Sequence, residues 1–330
     1  MLKKFASAGA LVLAASMIVI GARAQENETT AEPAADPAAP VNEGVFAEDV
    51  VWALPDGQEL LARVYRPAPA NPDEESAQAL PGIIDVHPGA WNLYDRTSGA
   101  LYDRALARAG FVVAAIDFRQ GPDHQHPVAS RDVVSAVRWM RLNAEELGVD
   151  SARVGLVGSS SGGHLALLAG LRPDHPDHAG VPIMGPDEAA AAHDDVDASV
   201  DFVVALWPVS DPQYRYRYAQ RASLDELVGY HDAYFADEAA MYDASAPRIV
   251  TAGEAAELPP VLLVQPGMDS NIPAEMTFSL MRAYQSRDGH VEYAYYPGMP
   301  HAFGHRPGPE TDDLVELMID FARRQFETDD

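Results

Sequence analysis

The sequence predicts an α/β fold in which a mostly parallel central sheet is flanked by helices and carries a small lid insertion. Three observations lead there. From about residue 45 onward, short apolar runs of strand length alternate with segments whose apolar residues recur at helical spacing. Strands alternating with helices imply right-handed crossovers and parallel pairing. The runs are apolar throughout, as strands covered on both faces are, and four loops rich in Gly, Ser, Asp or His follow such strands.

In chain order, Val45–Leu54 and Glu59–Arg66 read as strands joined by the turn Pro55-Asp56-Gly57. Ile83–Val86 and Phe111–Phe118 are buried-strand runs, and Leu101–Ala109 between them reads as a helix closed by Gly110. Val133, Val137 and Met140 mark one face of the next helix. Val154–Val157 is another buried strand, followed by a helix bearing Leu165–Leu168. Phe202–Leu206, Val261–Val264 and Val291–Tyr295 follow as strands, and a last helix carries Leu314, Met318 and Phe321. Two stretches break the rhythm. Residues 172–200, rich in Ala, Asp, His and Pro, read as a solvated surface excursion. Residues 211–255 are aromatic and partly helical and read as a lid or cap, since insertions between strand ends and helices tend to cover the site. Within it Tyr214, Tyr216 and Tyr218 alternate with Arg215 and Arg217, a spacing that also fits an exposed strand.

The first 24 residues have the character of an export signal. Lys3 and Lys4 precede an apolar stretch from Phe5 to Gly21, and Ala22-Arg23-Ala24 supplies the small residues of a cleavage site. Residues 25–44 are Ala, Pro, Glu and Asp with Pro33, Pro37 and Pro40, a composition for a disordered spacer. The expected mature protein, residues 45–330 behind that spacer, is secreted or periplasmic and has no membrane association once the signal is removed. The chain has 330 residues, with 23 Lys+Arg against 50 Asp+Glu and a net charge of −27. Loss of Lys3, Lys4 and Arg23 with the signal takes that to −30 and removes every lysine. So acidic a surface repels a phosphate backbone, which excludes nucleic acid as a partner. The absence of cysteine excludes a thiolate nucleophile, a thiolate metal site and a lipoprotein anchor.

The chemistry concentrates in the four loops. Gly158-Ser159-Ser160-Ser161-Gly162 matches G-x-S-x-G between a buried strand and an apolar helix, with Ser160 central. At such an elbow the backbone passes close to itself, so glycine is needed on both sides, and the helix N-terminus favours developing negative charge. His87-Pro88-Gly89-Ala90-Trp91 follows another buried strand; Pro88 cannot donate, so the N–H groups of Gly89 and Ala90, with that of Ser161, are the expected oxyanion donors. Asp269 lies in the loop after Val261–Val264, and His301 in the loop after Val291–Tyr295. The order Ser160, Asp269, His301 suits a nucleophile, an imidazole-orienting carboxylate and a general base. Trp91 and the aromatic insertion are expected to offer an apolar or aryl-binding surface, or to pack the insertion onto the body. His164, just inside the helix after the elbow, reads as a packing or hydrogen-bonding residue. His175, His178 and His193 lie near Asp174, Asp177, Asp194 and Asp195; their acidic setting reads as a solvated loop rather than a metal site.

Residues from about 80 to 305 resemble the α/β-hydrolase superfamily, most nearly its hormone-sensitive-lipase-like and related bacterial carboxylesterases. Asp117-Phe118-Arg119-Gln120-Gly121-Pro122-Asp123-His124-Gln125-His126-Pro127 resembles that branch's D-Y-R-L-A-P-E-H-x-F-P segment. Val137-Arg138-Trp139, Asn143 and Leu147-Gly148 continue the likeness, and His87-Pro88-Gly89-Ala90-Trp91 is similar to its H-G-G-G-W oxyanion motif. The resemblance implies an α/β-hydrolase fold, esterase activity and a structural role for His124. Pro88 and Ala90 stand where the motif has glycines, which narrows the oxyanion loop. Gln265-Pro266 stands before Gly267 where many relatives have a histidine, and the two early strands resemble smaller feruloyl- and acetyl-esterase relatives. The expected protein is therefore a serine esterase acting on a small-molecule or glycan ester without metal or organic cofactor. An amidase or peptidase using the same three residues, and a non-catalytic binding protein of the same fold, are the alternatives.

Overall fold

The computed structural model describes residues 44–68 and 79–327. The expected export signal, and the expected spacer apart from Gly44, lie outside them. Strands β1 (Val45–Ala53) and β2 (Leu60–Pro67) flank the short turn Pro55–Gly57. Next come β3 (Leu80–Val86), α1 (Ala100–Arg108), β4 (Val112–Ile116), α2 (Val128–Leu142), α3 (Ala144–Leu147), β5 (Val149–Ser159) and α4 (Ser161–Leu171). A small hairpin of β6 (Pro182–Met184) and β7 (Ala190–Ala192) leads to β8 (Val203–Leu206). The insertion then supplies α5 (Pro212–Ala222), α6 (Asp225–Tyr234), α7 (Glu238–Asp243) and α8 (Ala246–Ala252). The chain ends with β9 (Val261–Pro266), α9 (Ala274–Gln285), β10 (Val291–Tyr296) and α10 (Pro309–Glu327).

Among the described residues these strands form one sheet in the order β10-β9-β8-β5-β3-β4-β2-β1-β6-β7. The six from β10 to β4 pair in parallel, and β2, β1, β6 and β7 extend one edge antiparallel. Alternation along each strand splits the core in two. Ile84, Val86, Leu156 and Leu263 face α2, α4, α8 and α9, while Ile83, Val157, Val204 and Leu262 face α1 and α10. Every central run is covered on both sides, which is why it carries no polar alternation.

Two expectations are corrected. Residues 172–200 are not simply a solvated excursion, because β6 and β7 extend the sheet through the pair Ala53 and Ile183. Arg138 of α2 anchors the stretch by donating to the carbonyls of Pro173, His178 and Val196. The Tyr–Arg alternation is helical, not a strand. Asp211 caps α5 by accepting from the N–H of Tyr214, and Pro212 occupies the first turn, the usual arrangement of a helix start.

Candidate active site

The elbow sits where β5 runs into α4. Ser160 has φ 54° and ψ −115°, a left-handed conformation strained for a residue with a side chain. It persists because its neighbours over-determine it: the Ser160 N–H donates to Leu206 O at 2.9 Å, and its carbonyl accepts from His164 and Val209 at 3.2 and 3.1 Å. Close approach accounts for the flanking glycines. A Cβ on Gly158 would lie 2.5 Å from Gly162 O, and one on Gly162 would lie 1.9 Å from Val86 O. Beneath, Ser159 Oγ donates to His305 Nε2 at 3.2 Å, and His305 Nδ1 donates to Ser98 O at 2.8 Å.

Parallel neighbours β9 and β10 end in register at Pro266 and Tyr296, so the loops after them lie side by side. Gly267 N–H donates to Tyr296 O at 2.8 Å and Met268 N–H to Met299 O at 2.9 Å. This brings three residues 109 and 32 positions apart in the sequence into one line. Ser160 Oγ is 3.2 Å from His301 Nε2, and His301 Nδ1 is 2.8 Å from Asp269 Oδ2. The Asp269 side chain is wholly buried, and its Oδ1 accepts from the N–H groups of Asn271 and Ile272, each at 2.8 Å. Gln265, buried at the end of β9, braces this loop. Its Nε2 donates to Pro266 O and Ile272 O, and its Oε1 accepts from Thr277 Oγ1 at 2.5 Å.

The loop after β3 holds Gly89 at φ 115°, Ala90 at 50° and Trp91 at 65°. A Cβ on Gly89 would meet Leu93 O at 1.9 Å, so glycine is required there. His87 is stacked on Phe118 with centroids 4.2 Å apart and donates from Nδ1 to Pro88 O at 2.7 Å, fixing the turn. Burial pushes its pKa down to about 4, so it is a neutral support. Among the described turn and loop hydrogen bonds, none uses the N–H of Gly89, Ala90 or Ser161.

Trp91 does not offer a surface to substrate: it is 0% exposed. Its ring stacks on Tyr234 of α6 at 5.1 Å and meets His231, Phe235 and His164 edge-on. Its Nε1 donates to His164 Nδ1 at 3.1 Å, and His164 Nε2 donates to Ala244 O at 2.9 Å. Trp91 and His164 thus bind the insertion to the floor of the site. What lies open nearby is apolar: Leu93, Tyr94 and Met268 are 40%, 57% and 68% exposed. His124 sits in a turn, its N–H on Gln120 O. His175 and His178 diverge from any ligand-like arrangement, since His178 is buried between Arg172 O and Ser130 Oγ while His175 faces Asp177.

Sequence reasoning passed over Arg215. It is 1% exposed, its guanidinium lies 5.9 Å from the centre of the Trp91 ring, and its Nη2 donates to Asn271 Oδ1 at 2.6 Å. The signal was present as Pro212, Arg215 and Ala219, a helical stripe that is buried in α5. The alternation with tyrosines, which also fits an exposed strand, masked it.

A serine held at a strained elbow, in line with an imidazole and a buried carboxylate, is equipped to pass a proton from Oγ to Nε2 while Nδ1 stays oriented. The sheet order and the sequence Ser160, Asp269, His301 at the ends of β5, β9 and β10 are those of the α/β-hydrolase fold. Solved esterases share that fold. The hyperthermophilic esterase of the archaeon Pyrobaculum calidifontis superposes with a TM-score of 0.66 at 21% identity, over 87% of this chain and 85% of that one. Thermogutta terrifontis esterase 2, solved with propionate bound, gives 0.64 at 22% identity, over 84% and 94%. Within this fold the chain belongs to the BD-FAE family, which matches residues 70–284. It is also similar to Esterase LipC of Mycobacterium tuberculosis, 30% identical over 258 residues, 74% of this chain. A shorter match links it to the ethyl acetate hydrolase of Pseudomonas putida, 35% identical over 121 residues, 36% of this chain. The chain spans 59% of the length of the first and 37% of the second.

Proposed function

We propose that this protein is a serine carboxylesterase. The observation that carries the reading is the hydrogen-bonded line from Ser160 Oγ through His301 to buried Asp269, set on a strained elbow. Ser160 Oγ attacks the ester carbonyl as its proton passes to His301 Nε2. The oxyanion so formed is received by the N–H groups of Gly89, Ala90 and Ser161. Collapse breaks the bond to the alkoxy oxygen, which leaves with the proton from His301 as alcohol. Water then attacks the acyl-enzyme, again giving its proton to His301, and Ser160 leaves with that proton as the acid is released. No step calls for a metal or organic cofactor.

Membership of a family whose relatives are named esterases supports ester over amide substrates. The propionate held by the Thermogutta terrifontis enzyme supports a short acyl group, and the exposed Leu93, Tyr94 and Met268 beside the site favour an uncharged, apolar or aryl ester. Acetylated sugars belong to the same range. Ser160→Ala should abolish hydrolysis of short-chain p-nitrophenyl esters and labelling by a fluorophosphonate; activity persisting well above background in that variant overturns the reading. Lys3, Lys4, the apolar run to Gly21 and the Ala22-Arg23-Ala24 site support export to the periplasm or medium. A secreted protein beginning at Gln25 is the expected result, and a cytoplasmic one beginning at Met1 refutes it.

A further inference from the structure

We propose that Arg215 is a positioning residue of this site, binding the insertion to the acid loop and standing as the counter-charge of Asp269. The proposal rests on the serine-esterase reading above. Arg215 reaches the loop from the inward face of α5, where Nη2 donates to Asn271 Oδ1 at 2.6 Å. The Asn271 N–H donates in turn to Asp269 Oδ1 at 2.8 Å, and Asp269 Oδ2 holds His301 Nδ1 at 2.8 Å. Three residues further along α5, the Tyr218 hydroxyl donates to Ser270 O at 2.9 Å, so the same helix grips the loop twice. The guanidinium also lies against the Trp91 ring, so one side chain touches both the acid loop and the oxyanion loop.

Packing alone does not account for an arginine here. Its Nε and Nη1 are buried without a hydrogen-bond partner, an unfavourable placement that an apolar side chain of similar reach would avoid. What an apolar side chain lacks is the charge. The titratable groups facing Arg215 are Asp269 from the acid loop, His164 from α4 and His231 from α6, while His305 adjoins His301. Burial holds the three histidines down at about 4, 3 and 4, so they are neutral when an esterase works. Burial pulls Arg215 down to about 10 against the opposing pull of Asp269, which leaves it charged. Arg215 therefore stands as the opposite charge to Asp269, joined to its loop through Asn271.

The test follows kcat, KM and kcat/KM against pH, and the rate at which a fluorophosphonate labels Ser160, in wild type, Arg215→Met and Arg215→Lys. In Arg215→Met kcat and the labelling rate should both fall roughly 10- to 100-fold as the loop loosens, with KM changed by less than about threefold, and the acid limb of kcat/KM should move up. Arg215→Lys should return the acid limb to that of wild type while kcat stays reduced, because the charge returns without the fork that meets Asn271. Wild-type kcat and labelling rate in folded Arg215→Met overturn the proposal. If that variant does not fold, wild-type kcat in Arg215→Lys overturns it instead. Should the protein hydrolyse no ester, the esterase reading fails by itself, and the labelling rate still decides Arg215.

Discussion

Replacing Gly162 by alanine tests how tightly the elbow and the oxyanion loop are built against each other. The added Cβ would stand 1.9 Å from Val86 O and 2.5 Å from His87 O. Real Cβ atoms essentially never approach closer than 3.0 Å, so something must move by 3.0 − 1.9, about 1.1 Å. Both obstructing atoms are backbone, at the end of β3, two and three residues before Gly89, so no flexible side chain can yield. A displacement of about 1 Å in a group that must meet the transition state costs on the order of 100-fold in rate, about 2.7 kcal/mol. Stability should suffer less. Overpacking of about 1–3 kcal/mol is partly offset by the roughly 1 kcal/mol that alanine gains over glycine in a helix. The assay is kcat/KM on a short p-nitrophenyl ester beside a thermal melt. Gly229→Ala is the matched control: mid-way along α6, exposed, with nothing within 4 Å of its Cβ, it should gain up to about 1 kcal/mol and leave activity unchanged. A folded Gly162→Ala protein with kcat/KM within about threefold of wild type refutes the argument.

Two further outcomes follow from burial. His87, His164, His178 and His305 are held down at about 4, and His126 and His231 at about 3, in each case chiefly by desolvation. Between those values and the ordinary 6.5 the unfolded chain binds more protons than the folded one. Their contribution to stability is thus present above about 6.5 and lost as pH falls towards about 4. Asp85, raised by burial to about 7, works the other way, as do Asp103, Asp117 and Asp132, all raised chiefly by burial, but six imidazoles outweigh four carboxyls. Urea unfolding at about pH 5 should show several kcal/mol less stability than at about pH 7; equal midpoints sink this account. Trp91→Ala removes the ring packed against Tyr234, His231, Phe235 and His164 and should cost about 3–5 kcal/mol. A melting temperature within about 2 °C of wild type would show that the ring does not carry that load.

How much of this was legible in the sequence varies with the range over which the information acts. The runs around Ile84, Leu156, Val204 and Leu263 announce central strands because each is buried on both faces, a property written locally. The elbow, the loop of Asp269 and the loop of His301 were legible for the same reason, each being a short motif after a strand. The hairpin of β6 and β7 was not. Its strands are three residues each, β7 is Ala190–Ala192 and exposed, and one bridge to Ala53 joins it to the sheet. For Trp91 the sequence left two readings, substrate surface or packing of the insertion, and could not choose between them because its partners lie at positions 164 and 231–235, which only the folded insertion brings together. Arg215 escaped for a different reason. Its stripe with Pro212 and Ala219 was readable, yet the alternation with tyrosines gave the competing period.

The stack of Trp91 on Tyr234, with Phe235 against its edge, also bears on how substrate arrives. All three rings are at most 1% exposed. Swinging the insertion away would wet all three, at roughly 4–6 kcal/mol each for rings of about 150–250 Å². An open form costing on the order of 10 kcal/mol or more would be visited by about one molecule in ten million or fewer. On the esterase reading proposed above, substrate then reaches Ser160 past the exposed Leu93, Tyr94 and Met268 with the insertion in place, and turnover does not wait on a hinged cover. Such a catalyst draws no advantage from an oil–water boundary. It should treat a dissolved ester and one released from an emulsion droplet alike, with no lag when droplets form.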